Sequence, residues 1–233
     1  MPIIANKLAF YTDSIGHYPP IPAVNLAANV CAKLPAVTYD AQQLGSQSMG
    51  YAYNGQFNDG APNWLGGLTM SQHTDMIQAD TIVLHLGGGD VDPFIQGTNP
   101  DISQSPVAYL MTVYGWHAAA AGRKIAVVQA PLVVVTDYPK WNDSPDEQAA
   151  ALAYRDSVGR LQQVRESVVA QINAHYPGAA QLIYYHGPNA IDPVTMVPGD
   201  TLDGLHPTET KHFLIARSIA RALGAWRGWS VLP

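Results

Sequence analysis

An α/β layered fold with a mainly parallel sheet is predicted by three observations on this chain. Strand-like and helix-like patterns alternate from end to end, and the strand-like runs are short and almost wholly apolar. Alternation favours βαβ units, and an apolar run suits a central parallel strand buried on both faces. The residues with chemical potential also follow these runs, where an open parallel sheet places its ligands.

The elements follow in order. The run Leu8 to Tyr11 reads as the first strand, and a helix over 23–33 follows, with Leu26, Ala27 and Val30 on its apolar side. Ala36 to Tyr39 is the second strand, a helix is expected over 69–77, and Thr81 to Leu86 is the third strand. Helices over 106–121 and 145–175 flank a fourth strand, Lys124 to Gln129; Leu182 to Tyr185 is the fifth, and a last helix runs over 209–223. Ser144-Pro145-Asp146-Glu147 marks a helix start, with an N-cap serine, a proline at the first position and a capping-box glutamate. Pro177-Gly178 ends that helix, and Gly224 stands where a C-cap glycine belongs after the last one.

Composition excludes several classes. The 233 residues, 47% of them hydrophobic, are enough for a sizeable core, and no linker-like or low-complexity segment divides them, so one domain over 1–233 is expected. Net charge is -6 with only 12 Lys plus Arg, which form no run, so nucleic acid and anionic membrane are not expected partners. Cys31 is the single cysteine and reads as core packing. No signal peptide and no apolar stretch of bilayer length are visible. The low charge, 13%, and the loops rich in Asn, Gln, Gly and Tyr are compatible with an extracellular or virion-associated protein. Asp90 and Asp92 have no ligand-spaced companions, so no metal is expected, and no organic cofactor is required.

Asp13-Ser14 directly follows the first strand, and Asp203-Gly204-Leu205-His206-Pro207 precedes the last helix. A serine hydroxyl is a weak nucleophile that needs a base; an imidazole can serve, and a carboxylate can hold that ring in the right tautomer. Either motif alone is commonplace, as a turn, a cap or loop chemistry. Together, in this order and beside these elements, they favour catalysis by Ser14, His206 and Asp203.

Thr12-Asp13-Ser14-Ile15 resembles the Gly-Asp-Ser-Leu block, and Asp203 to Pro207 the Asp-x-x-His block, of the SGNH (GDSL) hydrolase family. Gly45, after the second strand, matches the second block loosely. Gly87-Gly88-Gly89-Asp90, after the third strand, matches the third block, Gly-x-Asn-Asp, with Gly89 in place of the asparagine. The resemblance implies a flavodoxin-like three-layer α/β/α sandwich with five strands, spanning essentially residues 7 to 224, and ester hydrolysis through an acyl-enzyme. It also implies an oxyanion hole from the N–H groups of Ser14 and Gly45, with Gly89 at the corner where the family's asparagine donates. One lost oxyanion donor costs roughly 3 to 4 kcal/mol of transition-state stabilisation.

Asp13, Asp90, Tyr51, Asn54, Trp64 and His186 are the candidate substrate-binding residues; the aromatic and amide side chains suit a sugar, and equally suit a long loop pinned by its own aromatics. The expected substrate is a small-molecule or carbohydrate ester, acetyl esters first. A lipase or thioesterase on longer acyl chains is the rival enzyme. A carbohydrate-binding or particle-structural module with weakened catalysis is the rival from another class, favoured by Gly89.

Overall fold

The computed structural model describes residues 2–13, 25–43, 65–86 and 106–233. Among them, five strands form one sheet: β1 (Ile4–Thr12), β2 (Thr38–Gln43), β3 (Ala79–His85), β4 (Lys124–Val128) and β5 (Ala180–Ile183). Their order is β2-β1-β3-β4-β5, and every neighbouring pair is parallel. This is the flavodoxin-like order. The helices between them are α1 (Leu26–Cys31), α2 (Met70–Ile77), α3 (Pro106–Ala120), α4 (Pro145–His175) and α5 (Glu209–Arg227).

Strand side chains alternate between two cores, because successive residues of a strand point to opposite faces. Ala9, Tyr11, Ile82, Leu84, Ile125, Val127 and Leu182 join one core with residues of α2, α3 and α4. Leu8, Phe10, Val83, Ala126, Val128 and Ile183 join the other with α1 and α5. The sheet is therefore the middle layer of three, and the apolar runs read from the sequence are its two-sided burial. Cys31 packs in the second core as a free thiol, which burial pushes up to about 12.

Several boundaries differ from expectation for local reasons. The β2 strand starts at Thr38, not Ala36, because a turn closed by Val37 N–H to the Leu34 carbonyl occupies the earlier residues. The Asn25 side chain caps α1 by accepting from the Ala28 N–H at 3.0 Å. Ser144 caps α4 through the Glu147 N–H at 3.2 Å, yet the Glu147 carboxylate pairs with Lys140 Nζ at 3.2 Å, so only half of the expected capping box forms there. A complete box joins Thr69 and Gln72 at the start of α2.

Gly224 is not the C-cap. The last helix continues to Arg227 and ends on Gly228, whose φ of 71° is the left-handed conformation that glycine adopts without strain. Gly224 lies inside α5, where the C-terminal tail folds back: a β-carbon there would meet the Val231 side chain and stand 3.0 Å from the Trp229 carbonyl. The same tail donates from Leu232 N–H to the Lys33 carbonyl at 2.9 Å. Gly224→Ala should thus keep the helix, which alanine favours by about 1 kcal/mol, while displacing the tail. Unchanged helical circular dichroism with accelerated hydrogen exchange at Leu232 is the expected result.

Candidate active site

All five strands point the same way, so their carboxyl ends share one rim. The chain switches sides of β1 between β2 and β3, which opens the crevice where such sheets bind ligands. Asp13 leaves β1 at this point. Its N–H donates to the His85 carbonyl at 3.3 Å, and the residue is only 1% exposed. Thr12 Oγ1 lies 3.0 Å from His85 Nδ1. Burial lowers His85 to about 3, with Arg165 and His212 acting in the same direction, so it is a neutral packed histidine at this end of β3.

The loop between β5 and α5 supplies the second part. Asp203 Oδ2 lies 2.7 Å from His206 Nδ1, while Asp203 Oδ1 accepts from the N–H groups of His206 at 2.9 Å and Leu205 at 3.1 Å. Burial works against ionisation of this carboxyl, but those N–H groups and the imidazole outweigh it and hold Asp203 below the usual carboxylate range. An ionised Asp203 accepts the Nδ1 proton. That tautomer puts the ring's lone pair on Nε2, the nitrogen at which a neutral imidazole can accept a proton.

Asp137, at the end of a 3-10 turn (Val135–Asp137) beyond β4, holds this loop in place. Its carboxylate accepts from Gly199 N–H at 2.7 Å, Thr201 N–H at 3.0 Å and Thr201 Oγ1 at 2.7 Å. Burial again opposes ionisation and the three donors outweigh it, so Asp137 is lowered too. Thr201 Oγ1 in turn accepts from Gly204 N–H at 3.0 Å, and Leu202 N–H donates to the His206 carbonyl at 2.8 Å. Gly204 has a φ of 89°, and a β-carbon would sit 3.2 Å from the Val134 carbonyl oxygen. Only glycine meets both demands between Asp203 and His206.

Two tyrosines tie the parts together. Burial pushes Tyr154 of α4 up to about 12, and the charges of Asp13 and Asp203 add to the rise. Tyr154 is thus within electrostatic reach of both the exit of β1 and the Asp-x-x-His loop. Tyr185 is raised by burial as well; there the Arg165 guanidinium pulls down and Asp13 pushes up. Arg165 is 1% exposed beneath the rim, where it donates to the Val128 carbonyl at 2.5 Å.

His186, expected to touch substrate, is half-buried after β5. Gln129 Oε1 accepts from the N–H groups of Tyr185 and His186 at 3.2 and 3.1 Å, so its amide nitrogen faces His186 Nδ1 at 3.2 Å. The other ring nitrogen approaches the Ala130 carbonyl at 3.5 Å, and burial lowers the ring toward its neutral form. Of the other candidates, Ser14, Gly45, Tyr51, Asn54, Trp64, Gly89 and Asp90 lie outside the described residues. Among the described residues no cluster of three or more His, Cys, Asp or Glu is arranged to hold a metal ion, and no helix is long and apolar enough to cross a membrane.

Sequence reading missed Asp137, Tyr154 and Arg165. Arg165 did carry a signal: it falls four residues after Leu161 and three before Val168, on the buried side of α4. Tyr154 carried none.

No family model and no curated protein matches this chain. Solved structures do. A protein described as lipolytic and of the G-D-S-L family, from Desulfitobacterium hafniense DCB-2, is similar over 94% of this chain and 99% of its own, at 10% identity and a TM-score of 0.59. The acetylxylan esterase Axe2 from Geobacillus stearothermophilus is similar over 95% of each chain at 13% identity and a TM-score of 0.55. A carbohydrate esterase family 2 enzyme from Corynascus thermopiles is similar over 98% of this chain and 68% of its own, at 13% identity and a TM-score of 0.54. The chain has the SGNH (GDSL) hydrolase fold.

The Asp137 anchor has a testable consequence. Asp137→Ala should cost about 2 kcal/mol, the scale of hydrogen bonds to a charged group, read from a denaturant midpoint at neutral pH. Asp137 has a folded-state pKa below its unfolded one, so its contribution is fully present above the ordinary carboxylate range and is lost as pH falls through the folded value. The variant's stability should accordingly fall less steeply than that of the parent on acidification.

Proposed function

We propose that this protein is an SGNH-family carboxylic ester hydrolase in which Ser14 is the nucleophile, His206 the base and Asp203 the residue that orients it. The observation that carries the reading is the 2.7 Å contact between Asp203 and His206 Nδ1; in support, the charge of Asp13, the residue before Ser14 in the chain, acts on Tyr154 together with that of Asp203. In the first step His206 Nε2 takes the Ser14 hydroxyl proton as Oγ bonds to the ester carbonyl carbon. The N–H groups of Ser14 and Gly45 meet the resulting oxyanion. On collapse the ester C–O bond breaks, and the imidazolium returns its proton to the leaving alcohol. Water, deprotonated by the same nitrogen, then releases the acid and regenerates Ser14.

Acetyl is the acyl group we favour, because one of the similar structures is an acetylxylan esterase. Activity on acetyl esters that falls as the acyl chain lengthens supports this choice over the lipase or thioesterase reading. The side chains read for sugar contact, Tyr51, Asn54 and Trp64, lie outside the described residues. The alcohol is thus left to be argued from the cavity beside Asp203.

The decisive kinetic test is loss of function. Ser14→Ala and His206→Ala should each abolish most turnover of an acetyl ester, and the double variant should be little worse than either, because the members of a triad act as a unit. Full turnover in Ser14→Ala would remove the reading.

Asp203→Asn tests the tautomer. The backbone N–H groups of Leu205 and His206 on Oδ1 oblige the introduced carbonyl oxygen to take that position, so the new amide N–H faces His206 Nδ1. The ring then carries its proton on Nε2 and cannot act as the base. A loss in kcat of about ten-thousandfold, as expected for a triad forced into the wrong tautomer, should accompany near-parental stability.

A further inference from the structure

A half-open, mainly apolar cavity adjoins the acid of the pair. Its volume is about 280 Å³, and Val133, Val135, Ala151 and Leu205 line it together with Tyr138 and Tyr154. Asp203 and Gly204 form part of the same wall, and Leu205 is the neighbour of His206 in the chain. Ala150, on the first turns of α4, faces it from an exposed position.

We propose that this cavity is the subsite for the leaving alcohol, and that the substrate is an ester whose alcohol carries an aryl or branched alkyl group. The inference rests on the esterase reading. Its direction comes from the mechanism: the alcohol oxygen must receive the proton from His206, so the leaving group lies on the imidazole side.

Size and lining choose the chemistry. An apolar cavity of about 150 Å³ holds benzene, so this one has room for a substituted ring or a branched chain. A sugar would leave hydroxyl groups without partners against Val133, Val135, Ala151 and Leu205, at a cost of roughly 1 to 3 kcal/mol for each. Filling the cavity also takes water from Asp203, whose side chain is 35% exposed, and so strengthens its hold on His206.

The test compares benzyl acetate with methyl acetate, whose leaving alcohols have similar basicity, so that binding and not leaving-group reactivity separates them. The parent should favour the benzyl ester about a hundredfold in kcat/KM, within the range that one apolar pocket delivers. Ala150→Phe and Val135→Phe, which fill the cavity from two walls, should each bring that ratio toward unity. Calorimetry with benzyl alcohol supplies a readout free of catalysis: binding to the parent and to Ser14→Ala, and loss of binding in the filled variants.

Esterase activity that ignores the alcohol, or a ratio untouched by folded variants of both kinds, overturns the subsite. So does a filled variant that alters acyl-chain preference instead. Absence of esterase activity with benzyl alcohol still bound and displaced by the filling side chains would remove the esterase reading and leave the binding site standing.

Discussion

A parallel sheet that buries both faces is the constraint from which the rest follows. The strands β3 and β4 and the second half of β1, from Leu8 to Thr12, have almost no exposed surface, and their side chains are divided between two cores with helices on either side. No polar chemistry can be placed on such strands without a partner. Function is confined to the strand ends, and parallel order puts those carboxyl ends on one rim.

Building a site on that rim requires charge in a place that disfavours it. Asp13 and Arg165 are each 1% exposed, and both act on Tyr185. Removing one member of a buried charged set typically costs about 3 to 5 kcal/mol, because the charge left behind has no compensation. Such groups hold their surroundings in one arrangement. Asp203 is better placed: it remains partly exposed and has two backbone donors and an imidazole to balance its charge.

The loop carrying Asp203 and His206 depends on contacts from outside itself. Asp137 comes from the segment after β4, the Val134 N–H donates to the Gly204 carbonyl at 2.8 Å, and the cavity wall is shared with α4. Pre-organised groups of this kind need little reorganisation as charge develops during a reaction.

The sequence by itself determined the layered class, the five strands and the bounds of α4, because an apolar strand run and a strong N-cap are local signals. It also determined the partnership of Asp203 with His206, since a three-residue spacing already brings the two side chains within reach. Its errors were local too. Gly224 reads as a cap until the returning tail shows why a β-carbon is excluded, and Glu147 reads as half of a capping box until Lys140 takes its carboxylate. Only the tertiary structure decided that Asp137 anchors the loop 62 residues further along the chain, that Arg165 lies beneath the rim, and that the charges of Asp13 and Asp203 both act on Tyr154. Those relations join residues far apart in sequence, and no periodicity or spacing encodes them; they exist once packing has brought β1, α4 and the Asp-x-x-His loop to one end of the sheet.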